Sequence, residues 1–525
     1  MTLLQVAYAF ASDTDGSNLL EHVKTIGELV EQEVLEDPFQ YLDTFDWQLY
    51  TKGRVCMRRG VNQYTLSDFA GLDVREGIGP ENAVPLAREF VSSPFAEELL
   101  SLVGIRALIP CVDVERKKHF FHLLNKDQKI TLRLCLELHN CFCEGAVQET
   151  GGCIRLYGLR GYEKVYQRLR QIFIEKGLQE RCGEDYLLQQ ALLGRKRRPL
   201  DYNSKFNVTL NDRDTIAEAA RDIFLLLADD MSRNLPGIIQ DWDSEFLHDF
   251  RVALRRSRSL LSSLKKMVSG DECSEMLDGL KAIGTATGPV RDLDVYLLEE
   301  EAYQALLPES LYQGLKAFFA SLAARRDQEF EQLLRTLQSP EFNTFMSQWL
   351  DFLQNRFCSL TGGKGRQGCH SAAVKFIRKR FEKIIQLGEA IGAQSPDAEL
   401  HNLRIECKKL RYLLEFYRSL FPEKAVDACI GQLKKLQDNL GTFNDLSVQQ
   451  EMLATYRADL APGSKKNMHI AAALGGLITH LQSDQQNVRK KFAKIYSNFA
   501  TAEHKTLFQD MLDAPVVREK KGETK

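Results

Sequence analysis

The sequence predicts two kinds of structure in one chain: an α+β unit built on an antiparallel sheet, then a unit that is helical almost throughout. Three observations carry this. Ile130, Leu132, Leu134, Leu136 and Leu138 alternate with Thr131, Arg133, Cys135 and Glu137, the period of two of a half-buried strand. From about residue 210 the chain becomes a succession of long amphipathic windows with few prolines. Within that stretch a basic motif is written twice, 153 residues apart: His248, Arg251, Arg255, Arg256 and Arg258, then His401, Arg404, Lys408, Lys409 and Arg411. The register persists downstream, where Gly288-Pro289-Val290-Arg291-Asp292-Leu293-Asp294-Val295 aligns with Gly441-Thr442-Phe443-Asn444-Asp445-Leu446-Ser447-Val448. One offset held over some fifty residues marks an internal duplication.

Taken in order, strands are expected at 5–11, 39–43, 53–59 and 105–114, and at 118–124 joined to 130–138 by a hairpin-type turn at Asn125-Lys126-Asp127. Helices are expected near 17–34, 85–103 and 161–177. Arg195-Lys196-Arg197-Arg198-Pro199 reads as an exposed linker. The expected division is therefore 1–194 for the sheet unit, 195–209 for the basic linker, 210–500 for the helical unit (repeats at about 210–358 and 370–500) and 501–525 for a tail. Gly362-Gly363-Lys364-Gly365-Arg366-Gln367-Gly368 lacks the GxxxxGK[ST] spacing and a preceding strand, so it is expected to be a flexible connection.

With 525 residues, 44% hydrophobic and 27% charged, the chain is long enough for several cores. Mean hydropathy is −0.29, and no window approaches the run of apolar residues that a membrane helix needs. The start of the chain has no basic stretch before its short apolar run, so no signal peptide is expected. The twelve cysteines form no CxxC pair. Cys141 and Cys143 after His139 are read as thiols of a reducing cytoplasm rather than zinc ligands. The net charge of −3 conceals strong local bias: residues 1–40 hold eight acids and one lysine, whereas 245–266 and 401–411 are basic.

On a helical wheel, His248, Arg251, Arg255 and Arg258 fall within an arc of about 80°. Lys265 and Lys266 continue that stripe and Arg256 flanks it. Leu247, Phe250, Leu254, Leu260 and Leu261 make the apolar back. The second copy places His401, Arg404, Lys408 and Arg411 on a stripe opposite Leu400, Leu403, Leu410, Leu413 and Leu414. Surface helices normally alternate charge at i and i+4, because like charges there repel. On these stripes acidic partners are few, Glu415 being the clearest, which points to an anionic ligand. Arginine forks suit phosphate. The absence of interleaved aromatic residues weighs against single-stranded nucleic acid. Asp292, Asp294 and Asp445 are expected to cap helices or brace an arginine rather than hold a metal.

These motifs, with the lead-in Asn234-Leu235-Pro236-Gly237 and Asp243-Ser244-Glu245-Phe246, resemble the CHAD domain, the conserved-histidine α-helical domain, over about 210–500. The resemblance implies two helical-bundle repeats related by a pseudo-two-fold axis, with basic helices facing a central groove that binds inorganic polyphosphate. It also implies association with polyphosphate granules in the cytoplasm. The binding residues it implies are His248, Arg251, Arg255, Arg256, Arg258, His401, Arg404, Lys408, Lys409 and Arg411; Lys265, which continues the first stripe, and Arg291 complete the expected set. No cofactor, metal or membrane partner is expected, and nucleic acid is disfavoured.

The first 194 residues resemble a CYTH domain, a triphosphate tunnel, through Tyr41-Leu42-Asp43-Thr44, Leu49, Gly53, Arg58 and Arg59, and through Leu159-Arg160-Gly161-Tyr162-Glu163-Lys164. That resemblance implies an antiparallel barrel or tunnel. An enzyme of this type needs an ExExK strand to hold a divalent metal. Here the strand reads Gln5-Val6-Ala7-Tyr8-Ala9-Phe10, without acid or lysine. The expectation is a degenerate, non-catalytic tunnel in which Arg58, Arg59, Arg116, Lys118 and Arg133 could still line a cationic lumen. The competing readings are a metal-dependent triphosphatase and a scaffold for nucleic acid or an acidic protein.

Overall fold

The computed structural model describes residues 5–10, 16–143, 146–180, 183–265, 267–268 and 271–515. They divide into two compact units, Met1–Ser204 and Lys205–Lys525.

The first unit is an antiparallel sheet of eight strands: β1 (Gln5–Phe10), β2 (Glu28–Asp43), β3 (Arg54–Arg59), β4 (Gln63–Asp68), β5 (Val74–Ile78), β6 (Ile109–Leu124), β7 (Ile130–Cys143) and β8 (Ala146–Gly158). Their order is β1-β8-β7-β6-β2-β3-β4-β5. The sheet is open among the described residues, with β1 and β5 at its two edges. The helices are α1 (Gly16–Lys24), α2 (Pro94–Val103), α3 (Glu163–Glu175) and α4 (Glu184–Leu193). Strand alternation sorts side chains by face. Tyr8, Leu134, Leu136, Ile154 and Leu156 point into a core closed by Leu19 and Val23 of α1 and Leu169 and Phe173 of α3. The opposite face carries Tyr41, Met57, Val112 and Val114, packed on Leu188, Ala191 and Leu192 of α4.

The hairpin at 125–129 forms as expected: the Asn125 side chain accepts from the amides of Asp127 and Lys129, both at 3.0 Å. The expected helix over 17–34 is corrected. It stops at Lys24, and 28–34 belongs to β2. Glu31 there meets the His119 ring on β6 at 2.8 Å, and Glu36 just beyond pairs with Lys117 at 3.2 Å, so cross-strand pairing overrides helical propensity. The stretch read as a linker is tied down. Arg195 donates to the Cys111 and Phe142 carbonyls, and Arg197 pairs with Asp201 at 2.9 Å.

The second unit runs α5 (Ile216–Ile239), α6 (Ser244–Leu264), α7 (Glu272–Ala286), α8 (Gly288–Leu298), α9 (Tyr312–Leu337), α10 (Pro340–Asp351), α11 (Cys369–Ala390), α12 (Asp397–Phe416), α13 (Glu423–Ala458), α14 (Lys465–Phe499) and α15 (Ala502–Asp513). The starts of α5 and α11, of α6 and α12, and of α9 and α14 each lie 153 residues apart, the offset of the sequence duplication. Side-chain caps fix several starts: Thr215 and Glu218 form a capping box on α5, and the Asp243 carboxylate accepts from the amides of Glu245 and Phe246. Leu315, Phe318 and Leu322 of α9 share a core with Ile470, Leu474 and Leu477 of α14.

Two expectations differ here. The glycine-rich stretch is not wholly irregular, since Gly362–Gly365 forms a helical turn. The region taken as a tail contains α15, whose Phe508 stacks on Phe381 at 4.1 Å; residues 516–525 lie outside the described residues.

Candidate functional site

Helices α6 and α12 lie side by side, and the sequence shows why each presents the face it does. On α6, Leu247, Phe250, Leu254 and Leu261 are buried; on α12, Leu400, Leu403, Leu410 and Leu414 are. Leucines at helical spacing anchor the backs, which leaves the stripes turned the other way. The lead-in to α6 is set by a close approach, because a Cβ at Gly237 would stand 2.3 Å from the Phe246 ring.

Arg251 is half-buried and donates to the Gly284 carbonyl at 2.9 Å and to Thr287 Oγ1 at 2.7 Å. It thereby satisfies the carbonyl end of α7, where a cation is favoured. Burial and then Arg255, with smaller effects from Arg291 and Arg258, hold the Arg251 pKa below its ordinary value against the pull of Asp292. A Cβ at Gly284 would lie 3.1 Å from Arg258 Nη1, so the glycine leaves room for that guanidinium. Arg255 and Lys408, at equivalent positions in the two copies, have no hydrogen bond or ion pair among the described residues. The Arg255 Nε is buried without an acceptor, as is that of Arg404. Burial, then Arg404 and Arg255, push the Lys408 pKa down to about 8 despite Asp445. The effect of Arg255 on Lys408 places the two stripes within electrostatic reach of each other.

Most of the other stripe residues are engaged. Arg404 Nη2 meets Asp445 Oδ1 at 3.2 Å, and His401 Nδ1 lies 2.6 Å from Asn444 Oδ1. Arg256 Nη2 meets Glu415 Oε2 at 2.7 Å, and Arg411 Nε meets Glu415 Oε1 at 2.8 Å. One carboxylate therefore ties α6 to α12. Lys409 is turned to Glu406 at 3.1 Å. Arg291 of α8 binds the Ser244 carbonyl and Glu245. His248 is half-buried on α6, and Lys265 is exposed just past its end; Lys266 lies outside the described residues.

Comparison with known proteins identifies the helical segment. Residues 222–454 match the CHAD domain. Uncharacterized proteins from two strains of Mycobacterium tuberculosis are each 25% identical over 212 residues, 39% of this chain and 39% of theirs. The chain thus spans well under half the length of the curated relatives it matches. The crystal structure of the CHAD domain from the plant Ricinus communis is 21% identical, covering 55% of this chain and 94% of that one at a TM-score of 0.46. PptA from Streptomyces chartreusis is 16% identical, covering 54% of this chain and 100% of that one at a TM-score of 0.42.

Within the helical unit, several partners escape sequence reasoning. Glu406 gathers Lys409, Arg380 and Lys383; its i,i+3 spacing to Lys409 was the one visible signal. Aromatic residues do flank the stripes, with Arg256 5.2 Å from the Phe206 ring and 5.8 Å from that of Tyr412. The aligned segments downstream of the two copies fold differently. Gly288 opens α8 after a break at Thr287, whereas Gly441 lies inside the unbroken α13. Asp294 braces Arg326 at 2.9 Å, Asp445 braces Arg404, and Asp292 opposes Arg251.

In the sheet unit, the four-residue motif starting at Tyr41 is a folding device. Asp43 accepts from the amides of Thr44, Leu49 and Tyr50 at 2.7–2.9 Å and closes the turn between β2 and β3. Among the arginines and lysine expected in a lumen, Arg59, Arg116 and Lys118 share the α4 face, and each is matched. Arg59 lies on Asp37 at 2.7 Å, Lys118 on Asp37 at 3.5 Å, and Arg116 on Glu184 at 3.1 Å. Burial works to raise the Glu184 pKa, yet Arg116 and the Tyr41 hydroxyl bring it below the usual value. Arg58 instead donates to Gln40 and to the Asn82 carbonyl, and Arg133 is exposed. Beside Arg155 and Cys153, β1 contributes Ala7 and Ala9, residues unable to ligate a metal.

Proposed function

We propose that the CHAD domain binds inorganic polyphosphate between two pseudo-symmetric helical repeats and performs no chemistry on it. The observation that carries this reading is that Arg255 and Lys408 lie within electrostatic reach of each other while neither forms an ion pair among the described residues. Like charges brought together and half-buried raise the energy of the free protein, and a linear polyanion relieves that cost at every cation it touches. Proximity of equivalent positions is also what a two-fold relation predicts, and the packing of α9 on its counterpart α14 agrees. The family resemblance supplies the ligand class. A sheet that is non-catalytic, whether or not it functions as a tunnel, fits the neutral residues of β1 and the matched charges of the α4 face.

The test is titration with long-chain polyphosphate of the native protein and of a variant carrying Arg255→Glu and Lys408→Glu. The expected loss of affinity is about 100-fold or more, since two attractive contacts become repulsive. Unchanged affinity overturns the site. Displacement of polyphosphate by RNA at equal phosphate concentration overturns the specificity. Magnesium- or manganese-dependent phosphate release from tripolyphosphate, abolished by chelator, overturns the non-catalytic assignment.

A further inference from the structure

We infer that the α4 face of the sheet unit holds a binding site for a small zwitterion, a molecule carrying one ammonium and one carboxylate beside an apolar group. A cavity of about 590 Å³ opens there, with Arg116 and Glu184 among its lining residues, within the range of ordinary small-ligand sites. Its charges exclude a polyanion. Arg116 already shares Glu184, Arg59 already shares Asp37, and any further phosphate would meet those carboxylates.

Three groups in the cavity wall remain unmet. Arg116 is 4% exposed and its Nε has no acceptor; Ser67 is 1% exposed and its Oγ has no partner. Both are donors, and a ligand carboxylate would satisfy both. The third group is Glu76 on β5, exposed and without a hydrogen bond or ion pair among the described residues. Strand pairing sets Thr65 opposite Glu76 and Ser67 opposite Val74, so the hydroxyl and the free carboxylate stand diagonally across two adjacent strands. An ammonium fits at Glu76, and Met57, Val74 and Ile78 offer an apolar wall. One ligand class meets all three demands, and an α-amino acid with an apolar side chain is its simplest member.

The experiment is calorimetric titration of the full chain with L-leucine, L-methionine and L-phenylalanine. Leucine lacking its carboxylate (3-methylbutylamine) and leucine lacking its ammonium (4-methylpentanoate) serve as controls. At least one amino acid is expected to bind with Kd at or below about 1 mM, and each single-charge analogue about tenfold more weakly or worse. Glu76→Gln, an exposed substitution that leaves the core untouched, is expected to weaken binding by about tenfold. Failure of all three amino acids, equal binding of either analogue, an unaltered Glu76→Gln variant, or displacement of the amino acid by tripolyphosphate would overturn the assignment.

Discussion

Lys408 is an ammonium held half-buried between Arg404 and Arg255, and its pKa of about 8 against an ordinary 10.5 states how unfavourable that charge is in the free protein. A lysine whose folded pKa is depressed costs stability at every pH where the unfolded chain would hold its proton. The cost is complete below about pH 8 and vanishes as pH rises past 10.5. Lys408→Met is therefore expected to stabilise the ligand-free protein at pH 7 by about 1–2 kcal/mol, after allowance for partial exposure, while weakening polyphosphate binding. Denaturant unfolding and titration of the same variant check both halves. Bound polyphosphate would restore the lysine's charge, so between those two pH values the bound state would hold more protons than the free one. Affinity should then fall as pH rises above about 8, by at most tenfold per unit, and Lys408→Arg should flatten that fall. Isotherms at pH 7, 8 and 9 decide it.

Helices α6 and α12 are held together by Glu415, which serves Arg256 and Arg411 at once. Both arginines are stripe residues by sequence, yet in the fold they brace the pair, leaving Arg255, Arg258 and Lys408 as the less encumbered cations. Glu415→Gln should lower stability by about 1–3 kcal/mol without weakening polyphosphate binding, because it removes an opposing charge; denaturation midpoints measured beside titrations test this. The stripes were legible because 100° per residue places cations and leucines on opposite faces whatever the neighbours. Glu406 was not, since two of its partners, Arg380 and Lys383 on α11, become neighbours only after folding. The 28–34 segment was misread because its glutamates suit a helix, while the β6 residues that pair with it as a strand lie some ninety residues away. The helix break at Thr287 has no counterpart in the second copy for a local reason. Pro289 lacks the amide an unbroken helix would use, and Thr442 at the matching place does not.

For the whole chain, a net charge of −3 coexists with a local row of cations, so bulk charge does not forecast partners, whereas salt dependence does. If about six cations (Arg251, Arg255, Arg258, Arg291, Arg404 and Lys408) contact phosphate, the logarithm of the binding constant should fall with the logarithm of salt at a slope of roughly −4. A slope near zero, measured by titration over a range of salt, would rule out polyanion binding by these rows. Among the described residues no helix is long and apolar enough to cross a membrane. The duplicated halves differ in one respect that bears on any linear ligand. Polyphosphate has no head or tail and reads the same from either end. The walls proposed to hold it do not. One is backed by α13, a single spar of 36 residues, about 54 Å long. The other is backed by two shorter rods, α7 and α8, joined at Thr287, where Arg251 grips the joint. A polymer without direction would thus lie between walls of unlike build, one continuous and one jointed.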